Sequence, residues 1–514
     1  MPASAMLCCP IESTDTMQNG TRLAAIDLGS NSFRLEIGYL DHGQIQRTEY
    51  LKETVRQGNG LDENRYLSRQ AMQRGWDCLA RFGERLAGFR KSQVRAVATQ
   101  TLREARNRDE FLARANDILG FPIDVISGRE EARLIYQGVA HLLPQSQERR
   151  LVVDIGGRST ELILGQAYQA HAMESFRVGS VAWSMRYFAE GLFTAKAFET
   201  AEVAAQAVLD EALNIYRPDS WDVAYGSSGT VGAVGDVLAQ AGWPPGCITR
   251  EGLDWLRERL LKAQNADKVR LEGMKEDRRA VIGGGISVLR AVFDLLAIQE
   301  MQVAQGALRH GALYDLLDRE QAQTDQRHAS VSRLAAKFSV DMPQAQRVGQ
   351  AAQHLFQQIR LECPPHELER HLRKLAWAAQ LHEIGSLISH SDYHKHGAYI
   401  LDNADAAGFT MPELHRLSLL VLGHRGKLRK LETQFEDDVF MRQLLCLRLA
   451  VLLCHARRDP DLQGLQLQSA GAYRLSLRCR SGWRQAYPQS AHLLQEELLA
   501  WQKTPWTLVL EEGS

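Results

Sequence analysis

The stretch that decides the fold is "DLGSNSFRL", Asp27–Leu35, because the chain repeats its pattern as "DIGGRSTEL", Asp154–Leu162. In both copies an Asp, an aliphatic residue and a Gly are followed by a Ser and then a Leu at the same spacing. A short apolar run precedes each copy, which predicts a strand that ends in a tight turn. The repeat therefore predicts two domains of related build.

Strand and helix patterns alternate around both copies, as expected for two α/β domains, and the strand pattern stops near residue 321. Beyond it the pattern is helical, and a short mixed stretch ends the chain. The predicted organisation is a tail at 1–21, lobe I at 22–145, lobe II at 146–320, an all-helical domain at 321–460 and a small α+β domain at 461–514.

Composition limits the function classes. The chain of 514 residues is too long for one core, and its 45% hydrophobic and 24% charged residues are typical of soluble domains. A formal net charge of −1 gives no global attraction to nucleic acid, and we predict no nucleic-acid partner. We find no run long enough to cross a bilayer. The eight cysteines form no C-x-x-C pair, which indicates reduced thiols and a cytoplasmic location.

The repeated turns carry the first candidate site. Gly, Ser and Asn after a strand present several backbone N–H groups to one concavity, which suits phosphate, and the Asp supplies a hard oxygen for Mg²⁺. A third Gly/Ser loop, "GSSGT", directly precedes a helical pattern, and a helix N-terminus attracts anions. The alternative is that these are only tight turns. The candidate phosphate ligands are Ser30, Asn31, Ser32, Gly156, Gly157, Arg158, Ser159, Gly226, Ser227, Ser228, Gly229 and Thr230.

The candidate catalytic residue is Glu131, in "SGREEARLIYQGV". At 100° per residue, Glu131 falls on the apolar face of the predicted helix, whereas Glu130 falls off that face and fits a capping box with Ser127. A partly desolvated carboxylate in a cleft would have a raised pKa, which suits a general base. The alternative is a buried ion pair with a nearby Arg.

These motifs together resemble the exopolyphosphatase and guanosine pentaphosphate phosphohydrolase (Ppx/GppA) family, which is similar to the actin-like, sugar-kinase-like and heat-shock ATPases. "AIDLGSNSFRL", "VATQTLREARN", "ISGREEARLIYQGV", "VVDIGGRSTELILG" and "GSSGTVGA" carry the resemblance, and the C-terminal half looks like the longer proteobacterial exopolyphosphatases. The resemblance implies a multidomain α/β fold with two actin-like, ribonuclease H-type lobes, then an HD-like helical domain and a small α+β domain.

The resemblance implies an exopolyphosphatase, a hydrolase that removes the terminal phosphate of linear inorganic polyphosphate. It points to Glu131 as the general base, to Asp154 and Glu161 as metal ligands, and to Arg103 as a phosphate contact. It implies Mg²⁺ as cofactor, leaves K⁺ open as a second ion, and implies a homodimer in the cytoplasm, with peripheral attachment to the inner membrane left open. A solvated helix charge is the alternative for Arg103.

One residue departs from the family pattern, because Arg158 stands where the family usually has a third Gly. If its side chain points into the cleft, it would clamp phosphate, and we favour that interpretation. If it points outward, nothing changes. A third reading is that the turn no longer accepts the usual backbone conformation.

The helical domain has an incomplete metal signature. His382 and Glu383 in "LHEIG" resemble the His-Asp pair of metal phosphohydrolases, but Glu replaces Asp and a later metal-binding Asp is missing. We predict a degenerate site that keeps the fold. Basic side chains at Lys395, Arg425 and Lys427 could extend a polyphosphate channel, with ordinary solvated charges as the alternative.

Three other functions stay open from the sequence. Removal of the 5′ terminal phosphate of guanosine pentaphosphate would use the same loops. A kinase would need acceptor and adenine pockets, for which we find no signature. A non-catalytic alarmone or polyphosphate sensor would gain nothing from Glu131 beside an anion.

Overall fold

A computed structural model describes residues 18–144, 146–320, 325–359 and 361–512. They fall into two compact units, of which the first ends at Asp325 and the second begins at Gln326. The first unit contains two sheets, one for each copy of the repeated turn. Residues 1–17 of the predicted tail lie outside the described ranges.

The first sheet has the strand order β3-β2-β1-β4-β5. Strands β1 and β2 form the first repeated hairpin, and β3 continues it antiparallel, whereas β4 and β5 run parallel to β1. Every residue of β1 after Arg22 is buried, as its unbroken apolar run requires. The strands are β1 (Arg22–Leu28), β2 (Phe33–Asp41), β3 (Gln44–Glu53), β4 (Val94–Ala98) and β5 (Ile123–Val125).

The second sheet repeats this order as β8-β7-β6-β9-β11 and adds β10 at its edge. Strands β6 and β7 form the second hairpin, β9 and β11 run parallel to β6, and β10 is antiparallel to β11. The predicted duplication is therefore confirmed in the topology. The strands are β6 (Arg149–Ile155), β7 (Thr160–Gln166), β8 (Gln169–Phe176), β9 (Val223–Ser227), β10 (Cys247–Thr249) and β11 (Glu300–Val303).

The two hairpins also share their register but differ at one position. Asp27 pairs across its hairpin with Arg34, and Asp154 pairs at the corresponding place with Glu161. Each Asp lies near the carboxyl end of its strand, at the sheet edge where ligands of α/β folds usually bind. The repeat therefore places two equivalent carboxylates at the same edge but gives them partners of opposite charge.

The helices cover the sheets and carry the remaining site residues. They are α1 (Arg69–Arg85), α2 (Gln100–Glu104), α3 (Arg108–Leu119), α4 (Gly128–Leu142), α5 (Ser180–Tyr187), α6 (Ala195–Leu209), α7 (Ser228–Gln240), α8 (Arg250–Ala263), α9 (Glu276–Arg279), α10 (Ile282–Leu295) and α11 (Leu308–Glu320).

Helix α4, which carries Glu131, packs closely against α11. A Cβ atom has no room at Gly138 or at Gly311, because Ala307 O and Leu134 O respectively occupy its place. On its other side α11 packs against β1, where Ala312, Leu313 and Leu316 share a cluster with Leu23 and Ala25. The last helix of the predicted lobe II therefore packs on the first sheet.

The second unit is mostly helical and ends in a small sheet with the order β12-β13-β14. Its helices and its C-terminal strands share one hydrophobic core, in which Phe356, Leu444, Leu477 and Trp506 are buried. The predicted boundary at 460/461 therefore does not separate two cores, and the finer domain limits stay predictions. The elements are α12 (Gln326–Lys337), α13 (Met342–Gln358), α14 (Pro365–Leu381), α15 (Tyr393–Asp402), α16 (Met411–Gly423), α17 (Asp438–Leu453), β12 (Leu465–Gly471), β13 (Arg474–Cys479), α18 (Trp483–Ala486), α19 (Pro488–Trp501) and β14 (Thr507–Glu512).

Candidate active site

The candidate site is a cleft in the first unit, with a cavity volume of about 360 Å³, lined by residues of both lobes. The turns of both hairpins and the start of α7 border it. The predicted site residues among its lining are Ser30, Asn31, Ser32, Glu131, Asp154, Gly156, Gly157, Ser159, Ser228, Gly229 and Thr230. The structure thus brings together most of the residues that the sequence selected, and their binding roles stay predictions.

The polar groups of the first turn are suited to an anionic ligand. Asn31 Nδ2 and Ser32 Oγ are buried and have no hydrogen-bond partner among the described residues. Buried donors without partners are costly, and a phosphate oxygen would satisfy them. The backbone of the turn is held by a neighbouring segment, since the N–H groups of Arg56 and Gly58 donate to the carbonyls of Asn31 and Ser30 respectively.

Glu131 lines the cleft near the start of α4 and is 7% exposed. The predicted alternative, a buried ion pair, is present, because Arg103 Nη1 donates to Glu131 Oε2 at 3.1 Å, and the role of general base stays a prediction. Burial raises the pKa of Glu131 to about 7. The Arg103 cation lowers this pKa, whereas the Asp27 and Asp154 carboxylates raise it further. The ion pair therefore orients a carboxylate that still accepts protons near neutral pH.

The neighbouring Glu130 differs from its prediction. Ser127 Oγ does accept from the Glu130 N–H at 3.1 Å, so the predicted cap is present. The Glu130 carboxylate, however, is fully buried and accepts from Arg133 Nε at 2.8 Å instead of closing a capping box. The helical periodicity places Glu130 off the apolar face. Because α4 is buried on nearly all sides, the Glu130 carboxylate also lies in the interior and needs a charge partner.

The two predicted metal ligands have different surroundings. Asp154 lines the cleft, and burial raises its pKa to about 6 while a hydrogen bond from Ser227 opposes the shift. Glu161 is 1% exposed, does not line the cleft and accepts from Ser175 Oγ at 2.8 Å. Burial raises its pKa well above the ordinary value, and the Glu131 and Asp154 carboxylates add to that. Asp154 is therefore the better placed ligand of the two.

The cleft fits Mg²⁺ through its donor chemistry. Within the described ranges, no group of three or more His, Cys, Asp or Glu side chains is arranged to hold a metal ion. Mg²⁺ usually takes one or two carboxylates and completes its shell with water and substrate phosphate oxygens. Asp154 and Asp27, which both line the cleft, offer such oxygens, although Asp27 also accepts from Arg34 Nη1 at 2.8 Å.

Arg103 and Arg158 do not line the cleft. Arg103 is engaged with Glu131 and with the Ile126 carbonyl, which accepts at 2.8 Å. The Arg158 guanidinium donates to Gly58 O and to Glu104, so it does not point into the cleft as the sequence interpretation favoured. Gly226 and Ser227 also lie outside the lining, and Ser227 Oγ donates to the Gly306 carbonyl at 2.9 Å.

Several lining residues are not among the predicted site residues. They are Asp27, whose carboxylate oxygen the turn pattern does indicate, and Arg34, Tyr50, Lys52, Asp236, Lys275, Arg278 and Arg309. Arg278 lies against Gly229 and is 9% exposed, and its neighbour Asp277 pairs with Lys52 at 2.9 Å. Burial lowers the pKa of the Arg278 guanidinium, and the Asp277 carboxylate opposes that shift. An anionic ligand would further stabilise this buried cation. Only Asp27 had a sequence signal, as the counterpart of Asp154.

The basic residues predicted for a channel belong to the second unit. Lys395 Nζ donates to Asp392 at 2.9 Å, Arg425 lies over the ring of Tyr393 at 4.8 Å from its centre, and Lys427 is exposed. In the incomplete metal signature, Arg457 pairs with Glu383 at 3.0 Å, and His382 Nδ1 bonds the Ala379 carbonyl at 2.6 Å. The channel role stays a prediction.

The raised pKa of Glu131 predicts the pH dependence of turnover. A general base must be ionised, and a pKa near 7 leaves Glu131 protonated in acid, so kcat/KM is expected to rise with pH through about 7. The measured limb belongs to the coupled carboxylates of the cleft, not to Glu131 alone. A pH series of initial rates tests this. An acid limb near the ordinary value of 4.5 would contradict the assignment.

Comparison with known proteins identifies the family. A model described as the "Ppx/GppA phosphatase family" matches residues 38–320. A second, described as "Ppx/GppA phosphatase, domain III", matches residues 326–501. No helix in the described ranges is long and apolar enough to span a membrane.

Curated relatives match nearly the whole chain. A "Guanosine-5'-triphosphate,3'-diphosphate pyrophosphatase" of Vibrio atlanticus is 39% identical over 490 residues, which covers 95% of this chain and 98% of the relative. A relative of the same name from Vibrio vulnificus is 38% identical over 495 residues, with 96% and 99% covered.

Solved structures share the fold. An exopolyphosphatase from Cytophaga hutchinsonii is 24% identical with a TM-score of 0.52, over 58% of this chain and 98% of that one. The predicted multidomain α/β fold with two related lobes and a helical C-terminal region is confirmed. With the matches over both halves of the chain, it follows that the protein belongs to the Ppx/GppA phosphatases, hydrolases that act on phosphoric anhydride bonds.

Proposed function

We propose that the protein removes the terminal 5′-phosphate of guanosine pentaphosphate. The name of the near-full-length relatives supports this substrate over linear polyphosphate, the substrate that the motif resemblance implies. The observation that carries the chemistry is a buried carboxylate, Glu131, that opens on a cleft formed by three turns suited to phosphate.

The reaction needs positioned groups more than a covalent nucleophile. The turns at Ser30 and Gly156 and the N-terminus of α7 hold the terminal phosphate. A water oxygen forms a bond to that phosphorus as the bond to the bridging oxygen breaks, and Glu131 accepts the proton of the water. The bridging oxygen leaves on the shortened nucleotide, and the terminal group departs as orthophosphate.

Cations must balance the charge that develops on the phosphate oxygens. Arg278 provides a buried cation in the lining. When Mg²⁺ is bound, it polarises phosphate oxygens as a Lewis acid. Asp154, with Asp27 beside it in the cleft, would hold the ion.

The experiment compares phosphate release from guanosine pentaphosphate and from long-chain polyphosphate at equal concentrations of terminal phosphate with Mg²⁺ present. We expect kcat/KM to be at least about tenfold higher for the guanosine compound. The reverse preference would restore the exopolyphosphatase prediction. Tight binding of either compound without release would indicate a sensor, and transfer of phosphate to a hydroxyl acceptor would indicate a kinase.

A further inference from the structure

Arg158, the residue that departs from the family pattern, connects the two lobes. Its Nη1 donates to the carbonyl of Gly58 at 3.2 Å, and its Nη2 donates to the carboxylate of Glu104 at 3.3 Å. Arg158 belongs to the turn of the second hairpin, whereas both acceptors belong to the lobe of the first sheet. The guanidinium therefore ties the second phosphate turn to the opposite lobe.

This contact lies where the two phosphate turns approach each other. A Cβ atom placed at Gly157 would lie 3.2 Å from the Cβ of Ser30 and 3.7 Å from the backbone N of Asn31. A Cβ atom at Gly58 would lie 3.2 Å from Cδ of Arg158. A small rotation of one lobe against the other would therefore change the distances between the two turns and break or strain the contacts of Arg158.

A chain of hydrogen bonds leads from this contact to the general base. Glu104 Oε1 accepts from Gln100 Nε2 at 2.6 Å, and Gln100 Oε1 accepts from Arg103 Nε at 3.1 Å. Arg103 then donates to Glu131 Oε2 at 3.1 Å. Gln100, Arg103 and Glu104 all lie on the single short helix α2. The orientation of the Glu131 carboxylate is thus set by a helix that Arg158 holds from the other lobe.

The contact is shielded from solvent, unlike most surface ion pairs, which contribute little. The side chain of Arg158 is 22% exposed and that of Glu104 is 13% exposed. Arg177 also approaches Glu104, at 3.8 Å, but its side chain is 69% exposed. Arg158 does not line the cleft, so it acts on the reaction through other residues and not through the phosphate.

We propose that Arg158 is a positioning residue that fixes the two phosphate turns in register and, through Glu104, Gln100 and Arg103, orients Glu131 toward the attacking water. The inference rests on the proposed function, in which Glu131 is the general base. Misplacement of a base lowers the rate of the chemical step, whereas the turns still bind phosphate. Loss of Arg158 should therefore lower kcat and leave KM nearly unchanged.

The first test compares Arg158→Ala and Arg158→Lys with the wild type on whichever substrate the enzyme hydrolyses. Arg158→Ala is expected to lower kcat on the order of tenfold with KM changed less than about twofold. Arg158→Lys, which keeps a cation within reach of Glu104, should recover most of kcat. The control Arg177→Ala removes the exposed neighbour and should leave kcat within about twofold of the wild type. A rise in KM alone would overturn the inference.

The second test asks whether Arg158 acts through Glu131. In a Glu131→Gln background, Arg158→Ala should cause no further loss of kcat, because the two residues belong to one chain of contacts. Fully additive losses would overturn the inference. Glu104→Gln, which keeps an oxygen for Gln100 but removes the charge, should reproduce the loss of kcat without loss of the folded state in a thermal melt, and an unchanged kcat would overturn the inference.

The two proposals fail in different ways. If Glu131→Gln leaves turnover unchanged, the assignment of the base fails and the inference about Arg158 fails with it. If Glu131→Gln lowers turnover as expected but Arg158→Ala leaves kcat at the wild-type value, only the inference about Arg158 fails.

Discussion

Replacement of Glu131 by Gln is expected to lower phosphate release by about 10²- to 10⁴-fold, the usual contribution of a positioned general base. The amide keeps the size of the side chain and an oxygen for Arg103, which donates to Glu131 at 3.1 Å, but it cannot take a proton from water. Substrate binding should persist, because the phosphate turns are unchanged. Initial rates of phosphate release and calorimetric titration of the inactive variant test both parts.

The adjacent residue provides a matched control for this substitution. Glu130→Gln changes the same chemical group one position earlier, but its carboxylate faces Arg133 and not the cleft. Glu130→Gln should lower the free energy of unfolding by about 3–5 kcal/mol, because it breaks a buried ion pair. The kcat of the folded enzyme should stay near the wild-type value. Equal losses of kcat in both variants, or retention of turnover by Glu131→Gln, would contradict the role of Glu131.

The second large effect is expected at Asp154, where Asp154→Asn should lower turnover on the order of 10²-fold and raise the Mg²⁺ concentration needed for half-maximal rate. The substitution keeps the size of the side chain, but an amide oxygen is a weaker ligand for a hard cation than a carboxylate. Phosphate release measured against Mg²⁺ concentration tests this prediction.

Glu161→Gln is the comparison that separates the two predicted ligands. Because Glu161 lies outside the cleft lining, its replacement should leave the Mg²⁺ requirement nearly unchanged. The pKa of Glu161 is raised in the folded protein, so above pH 4.5 the unfolded chain loses this proton more readily and the wild type loses stability. Gln cannot ionise, so the variant should unfold at a higher temperature than the wild type at neutral pH. An equal rise in Mg²⁺ requirement for both variants would show that Glu161 also binds the ion.

Local turn chemistry explains why much of the fold was predictable. Asp, Gly, Ser and Asn after an apolar run determine a strand and a tight turn within a few residues, so both hairpins and the start of α7 could be located without tertiary information. The duplication then indicated that the turns face one ligand, and the structure places Ser30 and Gly156 in one cleft.

Other features depend on contacts that sequence spacing does not encode. Arg278 and Tyr50 reach the cleft from separate elements and carry no local signal. The direction of Arg158 depends on Gly58 and Glu104 in the other lobe. A helical wheel places Glu130 off the apolar face because it assumes one buried side, whereas α11 and the second sheet cover more of α4.

The opposite charges at the paired positions of the hairpins, Arg34 in one and Glu161 in the other, leave the two equivalent Asp residues in different electrostatic surroundings. Arg34 Nη1 donates to Asp27 at 2.8 Å and balances the charge of that carboxylate. Asp154 instead faces an acid across its hairpin, and that acid lies outside the cleft lining. The divergence of the repeat thus concentrates the demand for a cation at one carboxylate, so that a metal ion would be drawn to one side of the cleft.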